Sequence, residues 1–114
     1  MQLTSNELQV FKAEFFRALA HPIRIRILEI LSVGERSVQD LQDTLQVDQP
    51  LVSQQLAVLR GKNIVVARKL GTTVKYAVRD PLVAELLKTA RLIFENHLTG
   101  TQTMLRELRK EGRD

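Results

Sequence analysis

Cysteine is missing from this 114-residue sequence, and its only histidines are His21 and His97. The lack of cysteine excludes disulfide bonds, thiolate metal sites, thiol redox sensing and cysteine nucleophiles together. Glycine-rich phosphate loops and paired-carboxylate motifs are missing as well, and the two histidines lie far apart in the chain. The sequence therefore predicts no enzyme activity, no metal site and no cofactor.

Long apolar runs are also missing, because no stretch approaches the roughly 18–20 apolar residues that span a bilayer. The first six residues are mostly polar and uncharged, without the basic and apolar regions of a signal peptide. The chain is too short to divide into two well-buried cores. We therefore expect a single cytoplasmic domain over residues 1–114, with no membrane partner.

Acidic residues are absent from one internal window, residues 60–79, which contains six basic residues. Residues 1–59 contain five basic and seven acidic residues, and residues 80–114 contain six of each. The positive excess behind the net charge of +4 therefore comes entirely from this window, since the rest of the chain has more acidic than basic residues. Such a concentration of positive charge is typical of an element that faces a polyanion.

Apolar periodicity predicts a first helix over about residues 6–19, where Leu8, Phe11 and Phe15 share a face. Thr4 followed by Glu7 indicates a capping box at its start. The alternation in residues 23–27 also fits a strand. A proline in the first turn and the strong helix formers that follow favour a second helix instead.

Two capped helices are predicted next, over about residues 37–62. Ser37 is a suitable N-cap for a short third helix, and Asp48 for a fourth helix with Pro50 in its first turn. A short helix joined by a tight turn to a second helix is the helix-turn-helix unit. Val52, Leu56 and Leu59 form the inner face, so the opposite face is free to enter a DNA major groove.

The period then changes to that of a β-hairpin over about residues 63–79, with a turn at Gly71-Thr72. Asp80-Pro81 opens a long last helix over about residues 81–111, in which Gly100 is a candidate kink. The predicted fold is mainly α with a small hairpin, in the order α-α-α-α-β-β-α. This is the order of a winged helix-turn-helix domain.

Three segments resemble the arsenic-repressor (ArsR/SmtB) family of winged-helix regulators: residues 19–28, residues 49–60, and Gly71 with Tyr76. The resemblance implies a homodimer formed by the first and last helices, which binds an inverted-repeat operator in double-stranded DNA and usually represses transcription. The sequence departs from the family at Leu51, Gln55, Asn63 and Thr72. These differences affect the expected operator sequence rather than the fold.

The resemblance carries three sets of expected contacts onto this chain. The fourth helix would bind DNA through Gln49, Pro50, Leu51, Ser53, Gln54, Gln55 and Arg60. The hairpin, or wing, would bind phosphates through Arg68, Lys69, Thr72 and Lys75. The dimer interface would contain Leu8, Phe11, Phe15, Val83, Leu87, Ala90, Phe94, His97 and Leu98.

Other interpretations remain open at several of these positions. Ser53 and Gln54 also fit a solvated helix face, Leu51 fits core packing, and the wing cations fit ordinary surface charge. The family's metal-binding positions lack their ligands here, with Ser37 and Gln39 where thiolates would lie, so the effector is unknown. A protein-binding adaptor without specific DNA binding is the alternative function.

Overall fold

Five helices and one two-stranded antiparallel sheet make up the computed structural model, which describes residues 2–112. Their order confirms the order predicted from the sequence, and the second segment is a helix rather than a strand. The elements are α1 (Ser5–Leu19), α2 (Pro22–Leu31), α3 (Val38–Leu45), α4 (Gln49–Gly61), β1 (Val65–Leu70), β2 (Thr73–Val78) and α5 (Leu82–Glu111).

Side-chain caps determine where the first three helices begin. Thr4 and Ser37 each form a capping box, with Glu7 and Asp40 as the respective partners, which confirms both predicted starts. His21 caps α2 because its Nδ1 accepts a hydrogen bond of 3.1 Å from the backbone N–H of Ile23. Asp48 is the N-cap residue of α4, as predicted, but its side chain makes no capping hydrogen bond.

The first structural unit ends at Ala84 and contains the core. Its most deeply buried side chains come from α2, α3 and α4, and none of them is more than 1% exposed: Ile27, Leu28, Leu41, Val52, Leu56 and Leu59. The inner face predicted for α4 is therefore confirmed. Burial of this face leaves the orientation of α4 little freedom, since a rotated helix would expose these side chains.

The hairpin pairs β1 with β2 from Val65 opposite Val78 to Leu70 opposite Thr73. Gly71 adopts a left-handed φ of +63° in the connecting turn, a conformation that glycine accepts without steric cost. A third segment joins this sheet, because Arg36 and Tyr76 exchange backbone hydrogen bonds of 3.1 and 2.8 Å. This bridge, which the sequence pattern does not reveal, attaches the wing to the segment before α3.

The second unit, residues 85–112, contains most of α5. The helix continues past Gly100, so that glycine neither breaks nor ends it. Every residue from 91 to 112 is exposed within the single chain. The exposed side chains include a run of large apolar ones: Leu92, Ile93, Phe94, Leu98, Met104, Leu105 and Leu108. No helix within residues 2–112 is both long enough and apolar enough to cross a membrane.

Val83 is expected in the dimer interface, but it is buried within its own chain. It is buried within the single chain, at 7% exposure, in the first turn of α5. A side chain that is already covered has little apolar area left to lose to a partner.

Leu56→Ala tests whether burial of the inner face of α4 supports the fold. Removing a fully buried leucine side chain should lower the free energy of unfolding by about 2–5 kcal/mol, measured by urea denaturation. Val33→Ala is the matched control, because Val33 is 82% exposed and its truncation should cost under about 0.5 kcal/mol. Similar losses in the two variants would contradict the proposed core.

Candidate nucleic-acid interface

The two faces of α4 differ sharply in exposure. Its inner face consists of Val52, Gln55, Leu56 and Leu59, all buried. Along the rest of the helix the half-buried residues are Leu51, Ser53 and Val58. The exposed residues, which include two amides and one basic side chain, are Gln49, Pro50, Gln54, Ala57, Arg60 and Gly61. The helix therefore exposes hydrogen-bonding groups on one face while its opposite face packs against the core, as a recognition helix requires.

A short turn sets α4 against α3. Helix α3 ends at Leu45. Its C-cap residue, Gln46, is left-handed with a φ of 57°, and the backbone N–H of Gln46 donates to the Gln42 carbonyl. Asp48 follows within two residues, and its carbonyl accepts from Leu51 and Val52 at 3.1 and 3.2 Å. Residues 46–48 thus complete a helix-turn-helix between α3 and α4.

Gln55 is not an outward-facing residue, unlike the other members of the predicted DNA-binding set. It lies three positions after Val52, on the buried side of α4, and is 7% exposed. Its Oε1 accepts a hydrogen bond of 2.9 Å from Nε of Arg24 in α2. Its amide oxygen is thus already engaged inside the protein and is not available to DNA, while the expectation that Gln55 binds DNA stays a prediction.

Two of the wing's basic residues lie next to acidic residues from earlier in the chain. Arg68 contacts Glu35 with two donors, one being Nε to Oε2 at 3.1 Å. Nζ of Lys75 lies 3.5 Å from Oδ2 of Asp40. The hydrogen bond from Arg68 lowers the pKa of the Glu35 carboxyl and raises that of Arg68 itself. Part of the wing's positive charge is therefore balanced locally.

Lys69 and Thr72 lie nearer the turn of the hairpin, and both are exposed. Within residues 2–112, Lys69 has no carboxylate within salt-bridge distance. Of the three wing cations predicted to bind phosphate, Lys69 is thus the one without an ion pair in the described part of the chain, and Thr72 carries no charge. Lys69 offers its full charge to a polyanion.

Comparison with known proteins identifies the family of this site. Residues 21–66, which include α2, α3 and α4, match the family model for bacterial regulatory proteins of the arsR family. The regulator Rv0081 of Mycobacterium tuberculosis, an uncharacterized HTH-type transcriptional regulator, is 41% identical over 111 residues, which cover 96% of this chain and 97% of the relative. The chain belongs to the arsR family. It is a DNA-binding transcriptional regulator of winged helix-turn-helix fold, and not an enzyme.

Other similar proteins agree with this assignment. The biofilm growth-associated repressor of Xylella fastidiosa is 33% identical over 94 residues, covering 82% of this chain and 79% of the relative. The crystal structure of Rv0081 superposes with a TM-score of 0.77 at 43% identity, over 82% of this chain and 95% of that one. The DNA-binding domain of Mb0332 from Mycobacterium bovis, described as homodimeric, has a TM-score of 0.76 at 28% identity, over 86% and 91% of the two chains.

Glu35→Gln tests whether the acidic neighbours restrain the wing's charge. The substitution leaves Arg68 without its carboxylate, so the slope of log K against log salt for DNA binding should steepen by up to about one unit. Glu29→Gln, an exposed position on α2, makes the same charge change elsewhere and should leave the slope nearly unchanged. Equal slopes in the two variants, measured by fluorescence anisotropy, would show that Glu35 does not screen Arg68.

Proposed function

We propose that the protein binds an inverted-repeat operator as a homodimer and represses transcription from it. The observation that carries this proposal is the pairing of a recognition helix whose hydrogen-bonding face is open with an adjoining basic wing. The recognition helix supplies sequence readout in the major groove, and the wing supplies phosphate contacts beside it. The repressor name of the Xylella relative supports the direction of control.

Sequence readout falls to the open face of α4. Gln54 is exposed at its centre and can form paired hydrogen bonds with adenine, while Ser53 adapts to either a donor or an acceptor. Gln49 and Pro50 lie at the end of the helix that enters the groove first. Leu51, which is half-buried, contacts a thymine methyl group.

Phosphate binding falls to Arg60 and to the wing. Lys69 and Thr72 are exposed near its turn, and Arg68 and Lys75 contribute the charge that Glu35 and Asp40 leave unbalanced. Contacts of this kind raise affinity for all DNA sequences equally and make binding sensitive to salt.

Dimerisation follows from the spacing of the operator and from uncovered apolar area. A two-fold operator needs two recognition helices about 34 Å apart, which one chain with a single recognition helix does not offer. Phe11 on α1 and Phe94 and Leu98 on α5 are each at least 60% exposed in the single chain. Leu8 is 41% exposed, and Phe15, Leu87 and Ala90 are half-buried. Together with His97 they form the proposed interface.

We expect the signal to be sensed without a thiolate metal site, because the sequence contains no cysteine. An organic ligand, a protein partner or the protein's own expression level would then set operator occupancy. The adaptor alternative differs in one measurable respect, because an adaptor would not prefer any genomic fragment over random DNA in a gel shift.

Gln54→Ala tests base readout by the open face. If Gln54 pairs with a base, its loss should weaken operator binding by about 1–3 kcal/mol and leave binding to random DNA nearly unchanged. Gln102→Ala, on α5, removes the same amide away from the recognition helix and should change neither affinity. An equal loss on operator and random DNA would rule out base readout by Gln54.

Phe94→Glu tests the dimer. A carboxylate placed in an apolar interface would lose its hydration, so the variant should sediment as a monomer at micromolar concentration where the wild type is a dimer. Thr89→Glu adds the same charge to an exposed position outside the apolar stripe of α5 and should remain dimeric. A wild-type chain that is itself monomeric under these conditions would refute the proposed assembly.

A further inference from the structure

Arg24 joins three elements of the first unit through two hydrogen bonds. It belongs to α2 and is half-buried. Its Nη1 donates to the backbone carbonyl of Ala18 in the last turn of α1 at 2.9 Å, and its Nε donates to Oε1 of Gln55 in α4 at 2.9 Å. One planar guanidinium thus holds the end of α1 and a side chain of the recognition helix at the same time.

The need for the first bond follows from the sequence. In an uninterrupted helix the Ala18 carbonyl would accept from the backbone N–H of residue 22. Residue 22 is proline, which has no N–H, and Ala18 is only 3% exposed, so water has little access to this residue. Arg24 supplies the missing donor. Its position is therefore set by α1 and α2 before Gln55 is considered.

The second bond fixes which way the Gln55 amide faces. A guanidinium has only donors, so the oxygen of the amide must point toward Arg24 and the NH2 group must point away. Among residues 2–112, Nε2 of Gln55 has no hydrogen-bond acceptor. In the same residues, every fully buried side-chain nitrogen or oxygen has a hydrogen-bond partner, so Nε2 is not one of the fully buried atoms. The NH2 group is therefore not completely enclosed, although Gln55 as a whole is 7% exposed.

We propose that Arg24 orients the Gln55 amide so that its NH2 group donates to a DNA phosphate beside the recognition helix. This inference rests on the proposed operator binding. Gln55 lies away from the open face that would meet base edges, so its donors are placed for the wall of the groove, where the phosphates lie. Arg24 is a positioning residue in this arrangement, and Gln55 makes the contact.

Preorganisation is what such an arrangement would contribute. A free glutamine side chain loses rotamer entropy when it is immobilised on a ligand. Here the internal hydrogen bond has already fixed the amide in the unbound protein. The contact carries no base information, so it should strengthen binding to operator and random DNA alike.

Gln55→Glu is the sharpest variant. A carboxylate still accepts from Arg24, in a charge-assisted bond, so the thermal midpoint should stay the same or rise. The variant loses both N–H donors and places a negative charge beside a phosphate. Affinity should fall at least tenfold on operator and random DNA, whereas Gln102→Glu, which adds the same charge on α5, should bind nearly as the wild type does.

Arg24→Lys tests positioning separately. Lysine keeps the charge but lacks the planar fork that serves two acceptors at fixed angles. In the wild-type background it should weaken DNA binding severalfold. In a Gln55→Ala background it should cause no further loss of affinity, although any loss of thermal stability from the Ala18 carbonyl should appear in both backgrounds. A purely structural role would give the same loss of affinity in both.

The outcomes separate this inference from the proposed function. Wild-type affinity in Gln55→Glu, or equal effects of Arg24→Lys in the two backgrounds, would overturn the inference while operator binding stands. A wild-type protein with no preference for any operator would instead overturn the proposed function. If Gln55→Glu fails to fold by circular dichroism, the Arg24→Lys comparison still decides.

Discussion

The orientation of α4 is set by the burial of one of its faces against α2 and α3. Val52, Leu56 and Leu59 are at most 1% exposed, and they hold the helix from behind. Their removal from water fixes which side chains face outward, because the positions of residues on a helix are set by its 3.6-residue period. The exposed polar face of α4 is thus defined by the apolar face that is buried.

Hydrogen bonds and ion pairs set the position and the charge of the wing. The Arg36–Tyr76 backbone bridge attaches the wing to the segment before α3, and the Arg68–Glu35 contact lies beside it. Exposed ion pairs add little stability, so their effect concerns charge more than folding. The recognition helix is therefore held by its buried face, and the wing is held by its bridge to the segment before α3.

Local signals in the sequence predicted most of the fold. Capping boxes at Thr4 and Ser37, the period of α4 and the turn at Gly71 each act within a few residues, so a pattern can reveal them. The contacts that were missed join distant parts of the chain. Arg24 with Gln55 is separated by 31 residues and Arg68 with Glu35 by 33, and no periodicity records such a pairing.

A hydroxyl-radical footprint of the wild-type protein, on the fragment that genome-wide binding selects, would show directly whether two recognition helices occupy one operator. We expect two protected half-sites related by a two-fold axis, with centres about 10–10.5 base pairs, or a multiple of that, apart. Protection of the backbone should flank each half-site where the wings lie. A single unpaired protected site, or uniform weak protection without a preferred sequence, would contradict this expectation.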